Sequence, residues 1–227
     1  PHALALLRIA FGLFLFIEAL TYLPAISMMF SNQGLIHSLW ADVFPSVTLR
    51  ALLSPPSAAV AYAIFCVYCI CTLALALGVA MRTSLCSLLL LYLYYWQLSF
   101  HYFPSSYHRL FFVVLIVLLF SGADRTFSLR MKMQRGSFLA WEPINILPQR
   151  LLALQISATY LGVGWQKMWL PDWQDGRILF YSFVGKWATS LGFFLARVLP
   201  MSVFDGLVWT TKMFEYVLPF GLWSKKL

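Results

Sequence analysis

Long apolar runs, each interrupted by very few ionisable residues, constrain this chain more than any other feature. The first, Ala3–Phe30, carries only two charged residues, Arg8 and Glu18. A helix needs about 20 apolar residues to cross a bilayer, and this run exceeds that. Runs of similar character follow over Ala58–Met81, Ser84–His101, Tyr107–Gly122, Pro148–Trp169 and Val203–Trp223. The chain is 61% hydrophobic and 11% charged, whereas a soluble domain is about 45–50% apolar and about 25% charged. These proportions exclude a soluble globular enzyme, a disordered chain and a secreted disulfide module. The expected fold is an all-α, polytopic transmembrane bundle of about six spans, with no room among the 227 residues for a large extramembrane domain.

The connecting segments carry the remaining information. Ser31–Pro56 reads as an interfacial loop, containing Trp40, Phe44 and the breaker Ser54-Pro55-Pro56. A tight turn is expected around Thr83, and Ser105 or Ser106 is expected to cap the fourth helix. Ala123–Pro148 is polar, and Pro148 suits the first turn of the fifth helix. Arg177–Pro200 mixes Arg177, Lys186 and Arg197 with aromatics, so it is expected to lie on the membrane rather than cross it.

Charge sets the orientation. The formal net charge is +8, but the basic residues are scattered rather than gathered in a nucleic-acid-binding patch; no nucleic-acid partner is expected. With a cytoplasmic N-terminus, the inner ends hold Arg82, Arg125, Arg130, Lys132, Arg135, Arg150, Lys225 and Lys226. The outer ends hold Arg50, Arg109, Arg177, Lys186 and Arg197. This excess agrees with the positive-inside rule. The expected location is a bacterial plasma membrane. In this topology His108, at the start of the fourth helix, and Lys167, at the end of the fifth, share one depth toward the outer face.

Ionisable residues within spans face a bundle interior or a wet cavity. Arg8 and Glu18, ten residues or about 15 Å apart along a helix, cannot pair and read as separate pins. Lys212 and Glu215 read as an intrahelical pair, Asp205 as a helix-start carboxylate, and His101 as an interfacial residue. Cys66-x-x-Cys69 lies inside an apolar run without a second ligand pair, so the four cysteines read as packing residues and no metal is expected. Lys167 supports two readings. In a partly dry pocket a lysine can serve as a base; at a helix end it can also snorkel to the headgroups.

Several motifs in order resemble one family. Ala5-Leu-Leu-Arg8-Ile-Ala-Phe-Gly12 is similar to the first-helix signature of the vitamin K-dependent γ-glutamyl carboxylase and its bacterial relatives, the horizontally transferred transmembrane domain (HTTM) proteins. Leu77-Gly78-Val-Ala-Met-Arg82 resembles the turn after the second helix, and His108 through Ser128 is similar as well. The most specific piece is Gln155-x4-Tyr160-x3-Gly164-x2-Lys167, followed by Trp173-Gln-Asp-Gly176.

The resemblance implies that Lys167 is the base that deprotonates a reduced vitamin K or menaquinone-type quinol, with His108 as its catalytic partner. It implies cofactor contacts from Arg8, Gln155, Tyr160 and Trp173. The animal carboxylase carries a lumenal domain after its membrane part. The expectation for residues 1–227 is a single transmembrane domain without that lumenal β domain. Base chemistry on a quinol or another lipid-soluble molecule, coupled to modification of an exported peptide or protein, is the expected activity. The alternative is a non-enzymatic subunit or module that holds a membrane lipid or quinone, with Lys167 as a headgroup anchor.

Overall fold

The computed structural model describes residues 1–34, 54–98, 106–185 and 188–223, all of them helical or in turns and connections. Trp40, Phe44, Pro45, Arg50, His101, Ser105, Lys186, Lys225 and Lys226 lie outside these residues, as does most of the expected interfacial loop. The chain forms two compact units, Pro1–Gln149 and Arg150–Leu227.

In the first unit, α1 (His2–Tyr22) continues through a 3-10 turn, Leu23–Ala25, into α2 (Ile26–Phe30). It is followed by α3 (Ala58–Leu77), α4 (Met81–Leu98), α5 (Ser106–Leu119) and α6 (Leu129–Arg135). The buried positions of α1 are Leu4, Ala5, Arg8, Phe11, Gly12, Leu15 and Ala19. Their three- and four-residue spacing makes one stripe. Its small residues let α3 approach closely. A Cβ on Gly12 would lie 2.8 Å from the Ala76 backbone nitrogen. The rest of the helix surface is apolar and outward-facing: Leu6, Leu13, Phe14, Ile17 and Leu20 are all exposed, as expected of a helix that meets lipid.

The sharp turn falls at Gly78 rather than around Thr83. Gly78 adopts φ +69°, and its N–H and that of Val79 close back on the Leu75 and Ala74 carbonyls at 3.1 and 3.0 Å. This double closure needs a left-handed residue, which glycine supplies without steric cost. The third run therefore begins at Met81, and Arg82 and Thr83 already belong to α4.

The polar segment after α5 folds into a compact hub. Ser128 caps α6 by accepting the Met131 N–H at 3.1 Å, and its hydroxyl donates to the Asp124 carbonyl at 2.5 Å. The Asp124 carboxylate accepts from Arg130. That hydrogen bond, reinforced by the opposite charge, raises the guanidinium pKa above its ordinary value. Glu142 faces Arg125 and Arg135 at 4.0 and 3.2 Å.

The second unit is built from α7 (Leu147–Trp169), which begins at the end of the first unit, a 3-10 turn at Pro171–Trp173, α8 (Arg177–Val184), α9 (Ser190–Val198) and α10 (Met201–Trp223). Pro148 occupies the first turn of α7 as expected, and the Asn145 side chain accepts the Leu147 N–H at 2.9 Å. On α10, Phe204, Val208, Lys212, Glu215 and Pro219 form the buried face. Phe204 receives the rings of Phe180 and Phe183 from α8, each at 5.6 Å. The indole N–H of Trp223 donates to Ser157 at 3.0 Å, while the later Lys167 meets the earlier Glu215, so α7 and α10 run antiparallel.

Among the described residues, two helical stretches are long and apolar enough to cross a membrane, His2–Phe30 and Ala58–Leu77. A third arises if α9 and α10, bent by 117°, count as one broken span. Tyr107–Leu119 is apolar but short. α7 has the length, but Gln149, Arg150, Gln155, Ser157, Thr159, Gln166 and Lys167 dilute its hydropathy. Arg177–Pro200 forms two short helices rather than one crossing segment.

Candidate functional site

Lys167 lies in the last turn of α7, where the helix dipole favours a cation. Its Nζ donates to Glu215 Oε1 on α10 and stands 4.0 Å from the centre of the Trp173 ring, a cation–π distance. The two ionic side chains are 14% and 10% exposed. Glu215 Oε2 is buried and has no hydrogen-bond partner among the described residues.

Glycines permit this arrangement. A Cβ on Gly164 would sit 3.3 Å from the Glu215 Cβ and 3.4 Å from the Tyr216 ring, so a larger residue would press on α10 beside the ion pair. Gly176 is more restricted: a Cβ there would come within 2.6 Å of Phe204 and of the Asp205 nitrogen. The Asp205 carboxylate accepts the Gly176 N–H at 2.6 Å. This contact holds the turn that carries Trp173 against α10.

Two sequence expectations are corrected here. Lys212 and Glu215 do not pair with each other. Glu215 is taken by Lys167, while Lys212 Nζ lies over the Trp209 ring at 4.6 Å and has no hydrogen-bond partner among the described residues. Neighbours three apart on a helix meet only when neither has a better partner across the interface. Asp205 does not serve its own helix start; its carboxylate ties Gly176, the residue before α8, to α10.

In the first unit, His108 is buried, and its Nδ1 lies 2.8 Å from the Tyr92 hydroxyl. That hydroxyl also lies 3.3 Å from the His108 carbonyl, to which it can donate. Both residues border a cavity of about 30 Å³, with Glu18, Tyr22, Tyr68 and Tyr95 among its other walls. Such a space is large enough for water. The Tyr95 hydroxyl has no hydrogen-bond partner among the described residues. Glu18, expected only as a pin, thus shares a cavity with His108. Neither Tyr92 nor Glu18 is marked as a partner by any spacing in the sequence, because the contact links separate helices.

The remaining expected residues are placed as follows. Arg8 is fully buried. It donates to the Leu75 and Ala76 carbonyls at 2.8 and 3.0 Å and to the Phe127 carbonyl at 2.7 Å. It thereby adds a donor to the Leu75 carbonyl, which also accepts the Gly78 N–H, and supplies one to the Ala76 carbonyl at the C-terminal end of α3. Gln155 Nε2 donates to Thr159 Oγ1 at 3.3 Å, within α7. Tyr160 is exposed on α7. Trp173 faces Lys167 as described. His108 belongs to the first unit and Lys167 to the second, each with partners from its own unit. All four cysteines are free thiols.

No curated protein and no solved structure gives a significant match to the chain. A family model described as HTTM domain matches residues 1–225. The chain therefore belongs to the HTTM domain family, transmembrane proteins related to the γ-carboxylase-like membrane family.

Proposed function

We propose that this protein is a membrane enzyme in which Lys167 acts as a base on a reduced vitamin K or menaquinone-type quinol, coupled to modification of an exported peptide or protein. The observation that carries this reading is the enclosure of Lys167 Nζ between the Glu215 carboxylate and the Trp173 ring. A general base must pass its own proton on before it can accept another. Glu215 Oε1 is positioned to receive that proton from Nζ. Nζ then accepts a proton from the bound substrate, and the site stays neutral overall.

The residues present fit a hydroxyl-bearing aromatic ligand. Glu215 Oε2 is a buried acceptor with no partner among the described residues, and a hydroxyl donor would satisfy it. A quinol bound there would supply an ionisable hydroxyl. Exposed Trp169, Met213 and Phe214 on the same two helices offer an apolar approach from the lipid. Gln155 and Tyr160, on the same helix as Lys167, are the further cofactor contacts, and His108 with Tyr92 forms a separate proton-handling pair in the first unit. In this reading six spans cross a plasma membrane, the N-terminus is cytoplasmic, Lys167 faces the outer leaflet, and Arg177–Pro200 lies in the interface.

A second reading rests on the same ion pair. Glu215 neutralises Lys167 fully enough for the pair to serve as a pin in a non-enzymatic module that holds a membrane lipid or quinone. Titration of the purified protein with a menaquinol analogue, followed by turnover assays of Lys167→Ala, separates the two. Binding with turnover that Lys167→Ala abolishes supports the enzyme. Binding without turnover supports the module, and turnover that survives the substitution rejects Lys167 as the base.

A further inference from the structure

At the end of the first unit formed by the start of α4 and the end of α5 lies an open polar groove of about 990 Å³. Arg82, Arg125 and Arg130 line it, with Asp124 the one acidic residue among the described residues of its walls. The lining therefore carries three positive charges against one negative, a surplus of two. Asp124 is engaged by Arg130, and Arg125 faces Glu142 at 4.0 Å while donating to the Pro143 carbonyl at 3.0 Å. Arg82 is exposed and takes part in none of the ion pairs found among the described residues. Its helix has no acidic residue in the first turn, so nothing from α4 offsets the positive end of the helix dipole beside it.

The apolar surface that leaves the groove is as informative as the charge. On α4, Cys86, Leu90 and Leu93 are exposed in line with Arg82, at the spacing of one helix face. On α5, Phe120 and Ile116, the former just past the helix end, are exposed one turn apart. Phe120 itself borders the groove and is 78% exposed. A basic recess at the helix ends, continuous with outward-facing apolar stripes, matches a molecule with an anionic head and acyl chains. A soluble anion would use the recess but not the stripes.

We propose that this groove binds the phosphate headgroup of an anionic phospholipid, with Arg82, Arg125 and Arg130 on the phosphate and the acyl chains along Cys86–Leu93 and Ile116–Phe120. Guanidinium groups suit phosphate through paired, planar donors. The site is separate from Lys167 and does not depend on the base chemistry proposed above. By the charge bias of the sequence it lies at the cytoplasmic surface, where basic recesses between helices hold such headgroups.

The test is native mass spectrometry and lipid titration of the full chain in detergent, using phosphatidylglycerol, phosphatidylcholine and inorganic phosphate as separate probes. Phosphatidylglycerol should bind in preference to phosphatidylcholine. Arg82→Gln should weaken it about fivefold, and Arg82→Gln with Arg125→Gln further still. Lys132→Gln, a matched loss of charge outside the groove, should leave affinity unchanged. Equal binding of the two lipids, or an equal loss in Lys132→Gln, overturns the proposal. So does saturable binding of inorganic phosphate that blocks nothing on the lipid. Should Arg82→Gln fold poorly, Cys86→Glu keeps the proposal testable, because it adds a negative charge at the groove wall and should also weaken the lipid.

Discussion

The Lys167 ammonium on α7 is paired with the Glu215 carboxylate on α10, between side chains that are 14% and 10% exposed. Removing one member of such a pair leaves a charge with neither water nor counter-ion. Glu215→Gln should therefore cost about 3–5 kcal/mol. The double substitution Lys167→Met with Glu215→Leu should recover most of that loss, because two apolar residues leave no stranded charge. Thermal unfolding of the parent and the two variants in one detergent checks the pattern. Equal losses in the single and double variants would contradict the pairing.

Arg8 makes a second interhelical connection, this time to backbone. It donates to three carbonyls, of Leu75, Ala76 and Phe127. Arg8→Met should destabilise the first unit by about 3 kcal/mol, because hydrogen bonds from a charged group to three carbonyls are lost. Arg8→Lys should recover only part, since a single ammonium cannot reproduce the planar fork. Gly78→Ala should be deleterious through the same contact. Its φ is +69°, and the added Cβ would strike the Arg8 guanidinium. Detergent unfolding midpoints of the three variants measure these effects.

Gly176→Ala should loosen the turn that carries Trp173, because its Cβ would lie 2.6 Å from the Asp205 nitrogen, which is backbone and cannot swing aside. Tryptophan fluorescence should report a change around Trp173, and trypsin should cut this region faster than in the parent chain. Unchanged fluorescence and unchanged proteolysis would show that the helix yields at no cost.

Tyr92 orients His108 through the 2.8 Å contact to Nδ1. Tyr92→Phe should cost about 1 kcal/mol, the net value of one such hydrogen bond, and should move the ¹⁵N resonances of His108 in a histidine-labelled sample. Unmoved resonances would mean that the hydroxyl does not set the tautomer.

The sequence made some of this legible and left the rest hidden for physical reasons. The apolar run of α1 is readable from composition, whereas its buried stripe shows only once the helix is packed. Gly78 carries the turn, whereas Arg82, the charged residue that suggests the end of the span, lies inside the next helix. The Lys212–Glu215 expectation came from local spacing and failed because Glu215 has a better partner 48 residues earlier. Lys167, Trp173 and Gly176 lie close together in sequence, and the Lys167–Trp173 part of the site was legible as a motif. Their counterparts Glu215 and Asp205 come from α10, and no local pattern points to them. The same holds for Tyr92 beside His108 and Glu18.

The most direct measurement is oxygen-dependent consumption of a reduced menaquinone by the full chain in lipid nanodiscs, compared between the parent and Lys167→Arg. Arginine keeps the positive charge opposite Glu215 but cannot act as a base near neutral pH. If Lys167 is the base, the unfolding midpoint should stay close to the parent and turnover should fall by at least about a hundredfold. Turnover in Lys167→Arg within a few-fold of the parent would contradict the assignment and leave Lys167 as a structural pin.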